Sequence, residues 1–330
     1  MMKLPFLIAA GFLPFFSSYS NAQTNLKLIP EEYEVSGSST IGMGFGGVAS
    51  TSGINAVRTN PSSMSTGKEY SAGAGYHWPI GGREFYQAGI VDSKTSSVGA
   101  GVNYTSFMND YKTRADQKLW FDSPLKRRFA VGLSYSLSQI SLGVGGQYVE
   151  GFVDNLEESS NLATLKGWTM GGGVTATLVG GMRIAGSVEN AANKKVQEFA
   201  PTIYRLGAAY PFNSSIALNM DYRNRQRVTR FEGEVLSVNL SGDSSSTPQG
   251  LAREQVGIAS LNASPHPNLR FSAGYAQSFA DKDFKPRRML GAGAAIVGQK
   301  ASLSYQLARP HAEESDDFLH SIQLNLEVAM

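Results

Sequence analysis

Apolar and polar residues alternate with a period of two along most of the chain. The final stretch, residues 321–330, reads S-I-Q-L-N-L-E-V-A-M, with Ile322, Leu324, Leu326, Val328 and Met330 on one face and Gln323, Asn325 and Glu327 on the other. This pattern marks a strand with one apolar and one polar face. Residues 127–137 set Phe129, Val131, Leu133, Tyr135 and Leu137 against Ala130, Gly132, Ser134 and Ser136. Residues 216–225 set Ile216, Leu218, Met220 and Tyr222 against Ala217, Asn219, Asp221 and Arg223. The alternation predicts strands at 68–78, 84–92, 97–107, 127–137, 140–149, 169–178, 182–190, 203–210, 216–225, 255–262, 269–279, 288–297, 301–308 and 321–330. The weakest is 288–297, which is apolar or glycine on both faces.

No linker divides the chain, so these strands form one all-β unit. Apolar residues facing lipid and polar residues facing a lumen predict a transmembrane antiparallel β-barrel of about 14 strands. The connections agree. Those at 138–139, 179–181, 211–215 and 298–300 are short, whereas those after the third, fifth, seventh, ninth and thirteenth strands are long. Outer-membrane barrels sort short periplasmic turns from long outer loops in this way. The short stretch after the first strand, 79–83, departs from the pattern. Trp78, Tyr104 and Trp168 fall near the outer strand ends, and Tyr70, Tyr135 and Tyr210 near the periplasmic ends, as two headgroup belts require.

The expected lumen face is rich in glycine, including Gly73, Gly143, Gly173, Gly207, Gly257 and Gly274. Glycine marks either a bend or the close approach of another backbone. Fourteen strands enclose more space than their own side chains fill. Water or a plug must occupy the rest, and composition leaves both open. Residues 36–66 offer a plug. They lack sustained alternation, are small and glycine-rich, and carry Arg58 as their sole charge.

The run Gly42-Met43-Gly44-Phe45-Gly46-Gly47-Val48-Ala49, followed by Asn55-Ala56 and then Asn60-Pro61-Ser62-Ser63-Met64, resembles the opening of the FadL/TodX long-chain fatty acid transporter superfamily. That resemblance implies a fourteen-stranded barrel with an N-terminal hatch in its lumen. The hatch motif would comprise Gly42, Gly44, Gly46, Gly47, Asn55, Asn60 and Pro61. PorV-type barrels, which serve protein secretion, share this opening. The chain is short for a fatty acid transporter and ends in Met330 where such barrels commonly end in phenylalanine.

Residues 1–22 carry a basic start at Lys3, an apolar run and small residues at Ser20 and Ala22, the pattern of a secretory signal peptide cut near Ala22. Three parts are therefore expected: a signal at 1–22, a hatch segment at 23–67 and the barrel at 68–330. The expected location is the outer membrane of a Gram-negative bacterium. The expected partners are outer-membrane lipid, a hydrophobic small-molecule ligand, and the barrel-assembly machinery, which would read the C-terminal strand. A net charge of +2 without a concentrated basic patch argues against nucleic acid.

Chemistry for an enzyme is not visible. The four histidines, His77, His266, His311 and His320, show no metal spacing, the chain has no cysteine, and no G-x-S-x-G elbow occurs. No catalytic residue, cofactor or metal is expected. Lumen-facing charges gather at Arg183, Glu189, Arg205, Asp221 and Arg223. They fit either a site for an anionic headgroup, with Arg205 and Arg223 as ligands, or ion pairs bracing the wall and the hatch. The outer loops are expected to hold Trp120, Phe121, Phe152 and Leu156 as an apolar docking surface. The leading expectation is passive uptake of hydrophobic small molecules such as long-chain fatty acids. The alternative is a PorV-like scaffold that binds partner or cargo proteins in secretion.

Overall fold

The computed structural model describes residues 38–79, 83–108, 125–154, 162–192, 196, 200–229, 250–279, 288–310 and 318–328. The expected signal peptide, Trp120, Phe121, Leu156 and Met330 lie outside these residues. The strands are β1 (Tyr70–Pro79), β2 (Phe85–Asp92), β3 (Val98–Phe107), β4 (Leu125–Leu137), β5 (Ile140–Asp154), β6 (Leu162–Thr177) and β7 (Arg183–Glu189). They continue as β8 (Thr202–Pro211), β9 (Ile216–Thr229), β10 (Gly250–His266), β11 (Leu269–Phe279), β12 (Arg288–Val297), β13 (Ala301–Pro310) and β14 (Leu319–Val328). All fourteen expected strands are present. Each pairs antiparallel with its sequence neighbours, and β1 closes on β14, with Tyr70 opposite Val328 and Pro79 opposite Leu319. Closure leaves no sheet edge along the ring, which is how strands can cross a bilayer.

The outward face is apolar. Leu133, Leu142, Val144, Met170, Leu206, Ile296 and Leu324 are all exposed, and their strand neighbours turn inward and are largely buried. A continuous exposed apolar band on a closed barrel is a lipid-facing surface. Aromatic rings gather at its rims. Trp78 stacks on Tyr76 and His320, Tyr86 lies against Tyr104, and Tyr148 meets Trp168 edge-on at the end with long connections. Tyr210 and Phe212 pair at the other end.

Three expectations need correction. The connection after the fifth strand is mostly wall: β5 and β6 run to 15 and 16 residues, and Phe152, Val153, Leu162 and Leu165 lie on their ladder rather than in a loop. β9 and β10 likewise extend to Thr229 and from Gly250. A spanning strand needs ~9–11 residues, so both hairpins stand beyond the apolar band. Gly257 faces outward, because it pairs with Tyr222, whereas Val256 and Ile258 point into the barrel.

Candidate functional site

The lumen is occupied by the chain's own N-terminal segment. A short helix, α1 (Ser38–Ile41), leads through a turn into α2 (Gly53–Thr59) and a 3-10 turn at Pro61–Ser65. Residues 40–49 and 54–65 are buried throughout. Ile54 lies against Gly73 and Gly89, Val57 and Met64 against Gly101, Asn60 against Thr175, Thr59 against Ser187, and Val48 against Gly207. Met43 lies against Gly274, Ile41 against Gly291, and Gly42 against Gln306. A segment in contact with inward faces from β1 round to β13 lies inside the ring.

The glycine walls answer the question that composition left open. A Cβ at Gly143 would collide with the Pro61–Ser62 backbone, and one at Gly274 with the Met43 carbonyl. Backbone lies directly on backbone there, which only glycine permits.

Two regions of the segment are fixed by different chemistry. The Asn60-Pro61-Ser62-Ser63 turn is held by a neutral network. Asn60 Nδ2 donates to Val48 O at 3.1 Å and to Thr175 Oγ1 at 2.9 Å, and Ser62 Oγ donates to Asn60 Oδ1 at 2.6 Å. Pro61 begins the 3-10 turn, where its missing N–H costs nothing. Asn103 Nδ2 donates to the Ile54 carbonyl, and Gln87 Nε2 to Asn55 Oδ1. Beside this network Glu189 gathers Arg58 of α2 at 3.2 Å, Arg205 of β8 at 2.8 Å and Arg128 of β4 at 3.7 Å, with Gln147 Nε2 at 3.1 Å.

The glycine-rich run is clasped by a charge. Asp221 of β9 accepts hydrogen bonds from Gly47 N at 2.6 Å and Val48 N at 2.9 Å. Gly44, Phe45 and Gly47 have φ of 65°, 67° and 94°. The turn that presents those two N–H groups therefore runs through the left-handed region, which glycine adopts readily and phenylalanine only rarely. Phe45 is repaid by where its ring goes. It joins Ile41, Phe85, Val256, Ile258, Ala276, Met289, Ala308 and Leu319 in a buried apolar cluster, with Phe107 packed against it.

Of the lumen charges expected from sequence, Arg205 is spent on Glu189. Arg223 sits directly across from it on β9, buried, with no ion pair or hydrogen bond among the described residues. Its other neighbour in register is Val256 of the apolar cluster. Arg183 is half-buried at the short-turn end of β7. Phe152 is on β5, and the arrangement does not bring it to Arg205 or Arg223 by strand pairing. The apolar cluster itself was not foreseen, because alternation assigns apolar residues to lipid. The signal that could have revealed it is the run of apolar residues on both faces of 288–297, together with Val256 and Ile258 beside glycine. No group of three His, Cys, Asp or Glu that could hold a metal ion occurs among the described residues.

These features define a class: a fourteen-stranded transmembrane barrel filled by its own N-terminal segment, with an apolar patch on one side of the lumen. No protein-family model matches the chain, and no curated protein sequence matches it. Solved structures do match. The chain is similar to the toluene transporter TbuX of Ralstonia pickettii at 13% identity, covering 89% of this chain and 98% of that one, with a TM-score of 0.57. It is also similar to the toluene transporter TodX of P. putida at 14% identity, covering 90% of this chain and 97% of that one, with a TM-score of 0.54. At such identities the likeness establishes the barrel fold. It agrees with the resemblance carried by residues 42–64.

Proposed function

We propose that this protein is an outer-membrane channel for passive entry of hydrophobic small molecules, long-chain fatty acids among them, and that residues 23–67 serve as its hatch. The observation that carries this reading is the buried apolar cluster of Ile41, Phe45, Val256, Ile258 and Met289 inside the ring. A water-filled porin lumen is polar. The similarity to two toluene transporters supports the same reading. The chain would reach a Gram-negative outer membrane after signal cleavage near Ala22, with its C-terminal strand read by the assembly machinery.

A ligand would first adsorb to the outer loops, where Trp120, Phe121 and Leu156 are the proposed contacts, with Phe152 on the adjoining ribbon. It would then pass to the apolar side of the lumen and leave when residues 40–48 shift. Arg223, buried beside Val256, would hold a carboxylate while the tail lies along the cluster, with Arg205 next to it. The test is a titration of the purified barrel with a fluorescent fatty acid and its uncharged ester. Saturable binding of both is expected, with Arg223→Ala weakening the acid about tenfold and the ester little, since ~1.4 kcal/mol corresponds to one decade. No saturable binding of either would remove this reading and favour a PorV-like scaffold.

A further inference from the structure

Three buried polar atoms on neighbouring inward positions lack a hydrogen-bond partner where β1 meets β14. They are Nδ1 and Nε2 of His77 and Oε1 of Gln323. His77 is 0% exposed and Gln323 2%. Gly75 is the wall position they share. Gly75 pairs with Gln323 across the seam, and His77 is the next inward residue along β1. A Cβ on Gly75 would stand 3.2 Å from His77 Nε2 and 3.5 Å from Gln323 Cβ. The amide nitrogen of Gln323 is engaged by Asn325 Oδ1, which leaves its oxygen open.

Packing does not account for this choice of residues. The imidazole stacks on Phe85, with centroids 4.3 Å apart and planes at 7°, and Phe85 belongs to the apolar cluster. A phenylalanine at position 77 would stack there without burying two unpaired nitrogens, and the bond from Gln323 to Asn325 leaves the Gln323 oxygen unexplained. What the seam offers is one acceptor from Gln323 together with an imidazole that carries one N–H in its neutral form. A hydroxyl lying over Gly75, between the two side chains, would satisfy both. Its O–H donates to Gln323 Oε1, and its oxygen accepts from the imidazole N–H. A carboxylate would face the Gln323 oxygen with a lone pair and be repelled.

We propose that the His77–Gln323 seam is a hydroxyl-recognising subsite, through which the channel selects hydrophobic molecules carrying one neutral hydroxyl over the bare hydrocarbon. This rests on the channel reading above. In the present state the seam is closed over. Ile54 of α2 lies beside it, with its Cδ1 3.0 Å from the place a Cβ on Gly73 would take. A ligand reaches the seam when the Ile54 side chain turns aside, with α2 staying in place, and Gly73 and Gly75 leave the wall there without side chains.

A site built to hydrogen-bond a hydroxyl rejects the analogue that lacks it, because its own polar atoms are then left unpaired. The test uses 2-naphthol and naphthalene, titrated by fluorescence at neutral pH into the full-length purified barrel. The wild type should bind 2-naphthol at least about tenfold more tightly than naphthalene. His77→Phe should abolish that preference. Gln323→Leu should do the same, so that one poorly folding variant does not decide the matter. Heat-modifiable mobility reports whether each barrel has folded. Equal binding of the two probes by the wild type, or a preference that survives in a folded variant, overturns the subsite alone. Absence of saturable binding of either probe overturns the channel reading and the subsite with it.

Discussion

The two sides of the lumen differ in their balance of polar and apolar contact. From β4 to β8 the wall meets the N-terminal segment through glycine, hydroxyls and the Glu189 ion cluster, with small apolar contacts at Ala130, Ala185 and Ala209. From β10 to β14 it meets the same segment largely through apolar side chains around Phe45. The outward face of both sides is apolar, so lipid contact does not explain the difference. The polar side fixes position, since hydrogen bonds and ion pairs are directional. The apolar side tolerates replacement of one greasy contact by another, which is what a hydrophobic ligand would do. The segment is thus anchored along 54–65 and more easily exchanged at 41–45.

That contrast can be broken first at Glu189. Removing it leaves Arg58, Arg128 and Arg205 without the carboxylate they share. Glu189→Ala should cost about 3–5 kcal/mol, the range for breaking a buried pair, read by urea unfolding of the barrel in liposomes. Its affinity for a hydrophobic probe should change little. Ile258→Ala on the apolar side should show the inverse balance. It should cost about 2–3 kcal/mol or less, near the lower range for truncating a buried isoleucine, because lipid-like ligand or a repacked Phe45 can fill the space. Probe affinity should shift several-fold. Equal stability losses with unchanged binding in both variants would show that the two sides do the same job.

The sequence revealed the wall more fully than its contents. All fourteen strands were legible because each must satisfy lipid on one face, which imposes strict alternation on runs such as Phe129 to Leu137. The rule lapses where that constraint ends. Beyond the apolar band nothing enforces alternation, so the upper parts of β5, β6, β9 and β10 read as loops. Inside, Val256, Ile258 and Met289 face a protein segment rather than water, and their apolar character misled the assignment of Gly257. The Asn60–Thr175 contact joins positions 115 residues apart, a separation that local pattern cannot bridge. His77 was recognisable as an inward residue, but its lack of a partner appears only when Phe85 and Gln323 are in place.

The account stands or falls on the segment that fills the ring. Its most direct test is planar-bilayer conductance of the wild type beside a variant lacking residues 38–65, with both barrels shown to be folded by heat-modifiable mobility. The wild type should pass little ionic current, because the segment meets the wall from β1 to β13. The deletion should open stable, large conductance through the vacated lumen. Indistinguishable conductance from two folded barrels would contradict the account.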